Sequence, residues 1–207
     1  VEPLLSWEYV HGNQEGCMTD YFFPYFGPLI MNISVTEEQL KDLKKLCNKK
    51  TSYHNSLAGH IKDEYKIDFT KYNTIIQPQL KTFKEAYKNF YAKELESIKT
   101  KAAWVNYMKA GDFNPPHIHT NCRFSSVLFM QFPKEILKEN EKHQASSKGP
   151  GAIQFMYGEG QPQDNINSYP VIPKEGSMFI FPSFVNHFVY PFRSKNVRRV
   201  SIAANYD

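Results

Sequence analysis

Two histidines separated by one residue, His117 and His119, restrict the folds that are open to this 207-residue chain. Side chains two residues apart in a β-strand point to the same face, so the pair can aim at one point. A third imidazole, His187, lies on a distant segment that the fold would have to bring alongside. Imidazole binds iron, zinc, copper and nickel, and three ligands on one side of an ion leave positions open for substrate or oxygen. We therefore predict a metal site formed by His117, His119 and His187.

The residues before these histidines favour a site over a core position. Gly111 and an Asn-Pro-Pro run precede the pair, and Pro182 opens a similar turn before His187. Each ligand is therefore expected at the start of a strand, beside a loop. The other histidines are isolated, and we interpret them as ordinary surface or core residues: His11, His54, His60 and His143.

The second half of the chain, residues 102–207, has the pattern of a mainly β fold. Seven or eight short strands are separated by Gly, Pro, Asn and Asp turn signals, which predicts a jelly roll or barrel. The aromatic content of 15% agrees with a sheet core. The charged stretch 134–150 is predicted to be an exposed loop, and 158–167 a turn region.

The first half, residues 1–101, is predicted to hold an irregular aromatic arm followed by two helices that cover one face of the sheet. Thr36 and Gln39 have capping-box spacing and begin a helix that should end near Lys49. A second helix is predicted from Pro78 to about Thr100, and 51–75 is predicted to be loop. No linker divides the chain, so we predict one domain over residues 1–207.

The last predicted strand places an arginine inside the fold. Arg199, Ser201 and Asn205 alternate onto one face, while Val200, Ile202 and Ala204 form an apolar face for the helices. A buried guanidinium needs an anionic partner, and no acidic residue in the neighbouring strands is an obvious one. A ligand carboxylate could pair with Arg199 through two parallel hydrogen bonds.

These motifs together resemble the iron(II)/2-oxoglutarate-dependent oxygenases. They are Tyr-x-x-x-Gly from Tyr107, the His117 pair, Phe-Pro-x-x-x-x-His ending at His187, and Arg-x-Ser from Arg199. The resemblance covers about residues 103–207 and is nearest to the prolyl-hydroxylase-like branch and to uncharacterised phage and bacterial members with an Asn-Pro-x-His-x-His motif.

The resemblance implies a double-stranded β-helix with N-terminal supporting helices and with Fe(II) at its mouth. His117 and His187 would bind the iron, and Arg199 with Ser201 would bind the distal carboxylate of 2-oxoglutarate. Tyr107 would be a second hydrogen-bond donor to that co-substrate. Further contacts near the metal or the co-substrate are implied for two asparagines, Asn114 and Asn205.

The chain departs from the family pattern at His119. The family has Asp or Glu at this position, within a facial triad of two histidines and one carboxylate. We predict His119 as the third ligand, because its spacing from His117 places it on the same face. Three neutral imidazoles would leave iron(II) with one more unit of positive charge than the usual triad.

The implied activity is hydroxylation of an unactivated C–H bond. The sequence leaves the substrate open among a peptide prolyl residue, a free amino acid and a nucleic-acid base. Two alternatives also stay open: a three-histidine dioxygenase of the cupin kind that does not use 2-oxoglutarate, and a non-catalytic metal-binding jelly roll. Arg199 would hold the substrate's own carboxylate in the first of these.

Composition limits the binding partners and the cellular compartment that we expect for this protein. The net charge is +4, and the lysines are scattered along predicted helices, which favours solvated faces over a nucleic-acid patch. No apolar run approaches the ~18 residues of a membrane span, and we expect no signal peptide at the start of this sequence. Cys17, Cys47 and Cys122 lack metal-site spacing and fit reduced thiols. We therefore expect a cytoplasmic protein, in the host cytoplasm if it is phage-encoded.

Overall fold

The computed structural model describes residues 27–159 and 167–207, and these ranges contain ten β-strands and four α-helices. The strands are β1 (Met31–Ser34), β2 (Glu64–Lys66), β3 (Thr100–Met108), β4 (Asn114–His117), β5 (Phe124–Gln131), β6 (Ile153–Met156), β7 (Ser168–Val171), β8 (Ser177–Pro182), β9 (Asn186–Val189) and β10 (Arg199–Tyr206). The helices are α1 (Glu37–Leu46), α2 (Phe69–Ile75), α3 (Gln77–Tyr91) and α4 (Lys134–Glu141). The predicted aromatic arm at residues 21–26 and most of the predicted turn region at 158–167 lie outside the described residues.

The strands form two antiparallel sheets. One has six strands in the order β1-β8-β5-β10-β3-β2, and the other has four in the order β4-β9-β6-β7. Side chains from both sheets share one apolar cluster, in which Phe129 and Phe179 of the larger sheet join Phe155 and Val189 of the smaller one. This arrangement confirms the predicted mainly β jelly roll.

Helices α1, α2 and α3 cover the outer face of the six-stranded sheet, as predicted for the N-terminal helices. Leu43 of α1 and Phe83 of α3 belong to the same buried cluster as Val200, Ile202 and Ala204 of β10. The alternation of β10 therefore sends its apolar side chains to the helices and its other side chains inward.

A buried hydrogen-bond network joins the helical layer to this sheet. Ser126 and Tyr206 lie 2.7 Å apart between their hydroxyl oxygens, and the hydroxyls of Tyr206 and Tyr72 lie 3.2 Å apart. Buried hydroxyls destabilise a fold unless they are paired, so the network lets three polar side chains sit inside this core.

Both predicted helices are present, but each ends earlier than predicted. Thr36 and Gln39 form the capping box at the start of α1, and the helix ends at Leu46 instead of near Lys49. Helix α3 ends at Tyr91 instead of near Thr100, because Ala92 adopts a left-handed backbone with φ of 51°. Residues 92–99 contain no regular element, and β3 begins at Thr100.

The prediction that residues 51–75 are loop is wrong. They contain a short 3-10 turn (His54–Ser56), strand β2 and helix α2. The side chain of Asp68 accepts hydrogen bonds from the first turn of α2, and β2 pairs antiparallel with β3. The N-terminal half therefore adds the two edge strands β1 and β2 to the larger sheet.

The prediction of an exposed loop at 134–150 is also wrong in part, because α4 occupies its beginning. Ile136 is fully buried on one side of this helix, while the charged residues around it had masked the short amphipathic pattern. In the part of the chain that is described, no helix is long and apolar enough to cross a membrane.

Candidate active site

The three predicted ligands meet at one end of the smaller sheet. His117 ends β4 and lies directly opposite His187 of β9. His119 lies two residues beyond the end of β4, where its backbone N–H donates to the carbonyl oxygen of Ser183 at 3.0 Å. This hydrogen bond, outside the paired residues of β4, anchors the backbone at His119 beside the other two ligands.

The geometry of these imidazoles fits a metal ion. Nitrogen atoms of the three rings all lie within 4.8 Å of one another, and Nε2 of His119 is 3.3 Å from Nε2 of His187. Two imidazoles bound to one ion at about 2.1 Å each would have nitrogens about 3.0–3.4 Å apart.

Backbone carbonyls fix the tautomer of two of the ligands. Nδ1 of His117 donates to the carbonyl oxygen of Pro115 at 2.8 Å, and Nδ1 of His187 donates to that of Val185 at 3.0 Å. A carbonyl oxygen can only accept, so these Nδ1 atoms carry the proton and the Nε2 lone pairs face the cluster.

The surroundings also keep the cluster neutral. Burial, together with the neighbouring His117 and His119, lowers the pKa of His187 to about 3. Burial and the nearby His117 lower the pKa of His119 to about 4, and burial lowers that of His117. Neutral imidazole is the form that binds a metal, so the ligands are ready for an ion near pH 7.

The cluster opens into a cavity of about 560 Å³, which is in the usual range for small-molecule sites. Of the other predicted site residues, Asn114, Arg199, Ser201 and Asn205 all line this cavity. Every predicted site residue except Tyr107 therefore lines this one cavity.

Arg199 is buried in this cavity without an acidic partner. It is 2% exposed, and its Nε and Nη2 atoms have no hydrogen-bond partner. Its Nη1 contacts the sulfur of Met108 at 3.6 Å, and the guanidinium lies 4.7 Å from the centre of the Phe129 ring. Burial lowers the pKa of Arg199 to about 9. These unpaired donors fit a ligand carboxylate, as the distal end of 2-oxoglutarate would supply.

Ser201 and Asn205 share the inward face of β10 with Arg199 but lie at different distances from it. Ser201 is two residues along the strand, within reach of the same carboxylate. Asn205 is six residues along, or roughly 20 Å, so it faces a different part of the cavity. Its Oδ1 accepts a hydrogen bond from Ser125 at 3.0 Å.

The predicted role of Tyr107 is wrong. Tyr107 lies on the helix-facing side of β3, and its hydroxyl donates to the carbonyl oxygen of Cys47 at 2.8 Å. The preceding residue, Asn106, faces the cavity and stands opposite Ser201 in the pairing with β10. Alternation along β3 could have identified Asn106, because Trp104 and Asn106 share the inward face.

Sequence reasoning also missed Glu64. This side chain lies on β2, opposite Asn106, and lines the cavity while being 1% exposed. His54 and Gly59 stand beside it, in the segment predicted to be loop. No motif marks Glu64, and its position follows only from the pairing of β2 with β3.

The family comparison agrees with this arrangement. Residues 102–205 match the profile of a protein family described as "Putative 2OG-Fe(II) oxygenase". The chain belongs to this family. It is therefore an oxidoreductase of the 2-oxoglutarate-dependent dioxygenase type, for which Fe(II) is the metal and 2-oxoglutarate the co-substrate. The predicted superfamily and cofactors are confirmed.

Solved structures share the fold of this oxygenase. A 2OG-Fe(II) oxygenase family oxidoreductase from Burkholderia pseudomallei is 11% identical, with 86% of this chain and 84% of that chain covered and a TM-score of 0.56. A Pseudomonas putida prolyl-4-hydroxylase is 13% identical, with 86% and 91% covered and a TM-score of 0.53. The alpha-ketoglutarate-dependent epimerase SnoN from nogalamycin biosynthesis is 11% identical, with 86% and 75% covered and a TM-score of 0.56.

At these identities the likeness is one of fold alone. The neighbours include a hydroxylase and an epimerase, so the shared fold does not decide the reaction. No curated protein matches the sequence.

Proposed function

We propose that this oxygenase hydroxylates a C–H bond of a small-molecule or peptide substrate, with Fe(II) held by His117, His119 and His187. The observation that carries the proposal is that three neutral imidazoles and an unpaired guanidinium face one cavity. The first set suits a divalent metal and the second suits an anionic co-substrate.

The protein's own residues would bind and orient the reactants. When bound, Fe(II), 2-oxoglutarate and O2 together supply an oxidant strong enough for an unactivated C–H bond. Arg199 would hold the distal carboxylate of the co-substrate, with Ser201 beside it and Asn106 opposite. Met108 and Phe129 pack around the guanidinium and keep water away from it, which strengthens its pairing with a carboxylate.

His119 would complete the ligand set in place of the family's carboxylate. Among the described residues, the only group of three or more potential ligand side chains is His117, His119 and His187. Asp or Glu at residue 119 would carry a negative charge, so the all-histidine site has one more unit of positive charge. This charge should favour the binding of an anionic co-substrate such as 2-oxoglutarate.

The same ligand set supports a second candidate, a three-histidine dioxygenase of the cupin kind. Its specific support is the absence of a carboxylate from the histidine cluster in the described part of the chain. In that enzyme Arg199 would hold a carboxylate of the substrate itself, and 2-oxoglutarate would not bind.

Binding of 2-oxoglutarate to iron-loaded protein separates the two. We expect calorimetry without oxygen to show one 2-oxoglutarate bound per chain, and admission of O2 to produce succinate. In Arg199→Met this binding should be lost. Arg198→Met is the matched control for that variant, because Arg198 adjoins Arg199 but is exposed. If the wild-type protein does not bind 2-oxoglutarate at millimolar concentration, the co-substrate proposal fails and the cupin-type reaction becomes the better account.

A further inference from the structure

A second set of unpaired groups lies on the other side of β3 from Arg199. Glu64 is buried on β2, and its Oε2 atom has no hydrogen-bond partner. The nearest basic side chain is His54, whose Nδ1 stands 3.5 Å from that oxygen and is itself buried without a hydrogen bond. A buried carboxylate in this condition is strongly destabilising unless something else pairs with it.

Two asparagine oxygens are unpaired in the same way. Oδ1 of Asn114 and Oδ1 of Asn106 are both buried without a hydrogen-bond partner, and both residues line the cavity with Glu64. A Cβ atom at Gly59 would stand 2.2 Å from Oδ1 of Asn114 and 3.2 Å from Oε1 of Glu64. The absence of a side chain at Gly59 therefore lets the side chain of Asn114 lie close to this segment, beside Glu64.

The amide oxygens of the two asparagines and an ionised Glu64 carboxylate can only accept hydrogen bonds, so the group that satisfies all of them must donate. Arg199 does not do so: its Nε and Nη2 have no hydrogen-bond partner, its Nη1 contacts Met108, and β3 lies between the strands that carry Arg199 and Glu64. Among the described residues, His54 is the only basic side chain within 4 Å of the Glu64 carboxyl.

We propose that Glu64 and Asn114 form the subsite for a cationic nitrogen group of the primary substrate, a protonated amine or a guanidinium. This inference rests on the proposed function, and it adds the substrate class. An ammonium carries three donors and no acceptor, which complements oxygens from Glu64, Asn114 and Asn106. Burial raises the pKa of Glu64 to about 7, with His54 opposing the rise and Asp112 adding to it. A bound cation would return that carboxyl to its ionised form.

Binding of small probes to the iron- and 2-oxoglutarate-loaded protein, measured by calorimetry without oxygen, tests the subsite. The probes are Nα-acetyl-lysine amide and Nα-acetyl-arginine amide, with Nα-acetyl-norleucine amide as the matched neutral probe. We expect a basic probe to bind at least about tenfold more tightly than norleucine, because it gains charge-assisted hydrogen bonds. Uncapped lysine is a further probe. If it binds more tightly than Nα-acetyl-lysine amide, the result would support the subsite and would identify the substrate as a free amino acid.

Two variants examine whether the preference comes from this subsite. Glu64→Gln keeps the shape and removes the charge, so the preference for a basic probe should disappear. Gly59→Ala should weaken all basic probes, because its methyl group would stand 2.2 Å from Oδ1 of Asn114 and would displace that oxygen from the subsite. Glu85→Gln, an exposed change on α3, is the matched control and should keep the preference. Melting temperatures establish that each variant is folded.

The outcomes separate this inference from the proposed function. Failure of the wild-type protein to bind 2-oxoglutarate would contradict the proposed function. The affinities of the basic and neutral probes would then be compared in protein loaded with iron alone. Intact 2-oxoglutarate binding with equal affinity for lysine and norleucine probes would overturn the subsite only. The subsite is also overturned if no basic probe binds at millimolar concentration, or if folded Glu64→Gln retains the preference.

Discussion

Replacing Arg199 by methionine should stabilise the ligand-free protein and abolish its response to 2-oxoglutarate. The reason is that Arg199 is buried with two unpaired nitrogen atoms and no acidic partner. Methionine keeps most of the apolar stem but removes the charge. Opposite effects on stability and on binding would separate a ligand-binding arginine from a structural one, since loss of a structural arginine would only destabilise the fold.

The magnitude follows from the burial of the guanidinium. A pKa lowered from 12.5 to about 9 corresponds to about 5 kcal/mol against the charged form. Because the folded-state pKa of this base lies below its unfolded value, the destabilisation is fully present below pH 9 and is relieved only as the pH rises through that value. The variant also loses the cation–π contact with Phe129, so we expect a net gain of about 1–4 kcal/mol.

Thermal unfolding of iron-loaded protein without oxygen measures both effects. For a chain of this size about 1 kcal/mol shifts the melting temperature by about 2–4 °C. Arg199→Met should melt higher than wild type without 2-oxoglutarate, whereas 2-oxoglutarate at 100 times its Kd should add about 2.7 kcal/mol to wild type alone. Arg198→Met should behave as wild type. A ligand-free Arg199→Met that melts well below wild type, or that binds 2-oxoglutarate as wild type does, would refute the reasoning.

Three further predictions concern individual site residues. His187→Ala should lose tight iron binding by metal analysis, because two imidazoles hold a divalent ion weakly; iron retained at wild-type affinity would exclude His187 as a ligand. His119→Asp should bind iron and keep or raise succinate formation, and complete loss of iron would show that the site requires three histidines. Tyr107→Phe should leave 2-oxoglutarate affinity unchanged in calorimetry and lower stability by about 1 kcal/mol, since its hydroxyl bonds Cys47 and not the cavity; a tenfold loss of affinity would restore its predicted role.

The parts of the site that could be predicted from sequence are those governed by strand alternation. The period of two along β10 placed Arg199 and Ser201 inward and Ile202 outward, and the structure has this arrangement. The turn at Gly111 and the turn before His187 also fall where Gly and Pro predict them. These features depend on residues close together in the chain, so local rules describe them well. The Asn-Pro-Pro run does not continue the first turn as predicted: it forms β4, so His117 ends a strand instead of beginning one.

The features that could not be predicted depend on pairing between distant segments. Glu64 reaches the cavity only because β2 pairs with the edge of β3. A strand of three residues is too short for its alternation to be detected in the sequence. The error at Tyr107 has a different origin. The family motif indicated the tyrosine, whereas the alternation of β3 turns Asn106 inward and sends Tyr107 to the helices.

The charges of the cavity point to two ligands of opposite sign. Arg199 and Glu64 are both buried and both line the cavity, yet Arg199 has no acidic partner and Glu64 has only His54, at 3.5 Å. Two apolar cores, one between the sheets and one under the helices, hold the strands that carry them. Stability alone would favour apolar side chains at both positions, because unpaired buried charges destabilise a fold. A co-substrate carboxylate at Arg199 and a substrate cation at Glu64 account for both residues, and neither ligand could take the other's place.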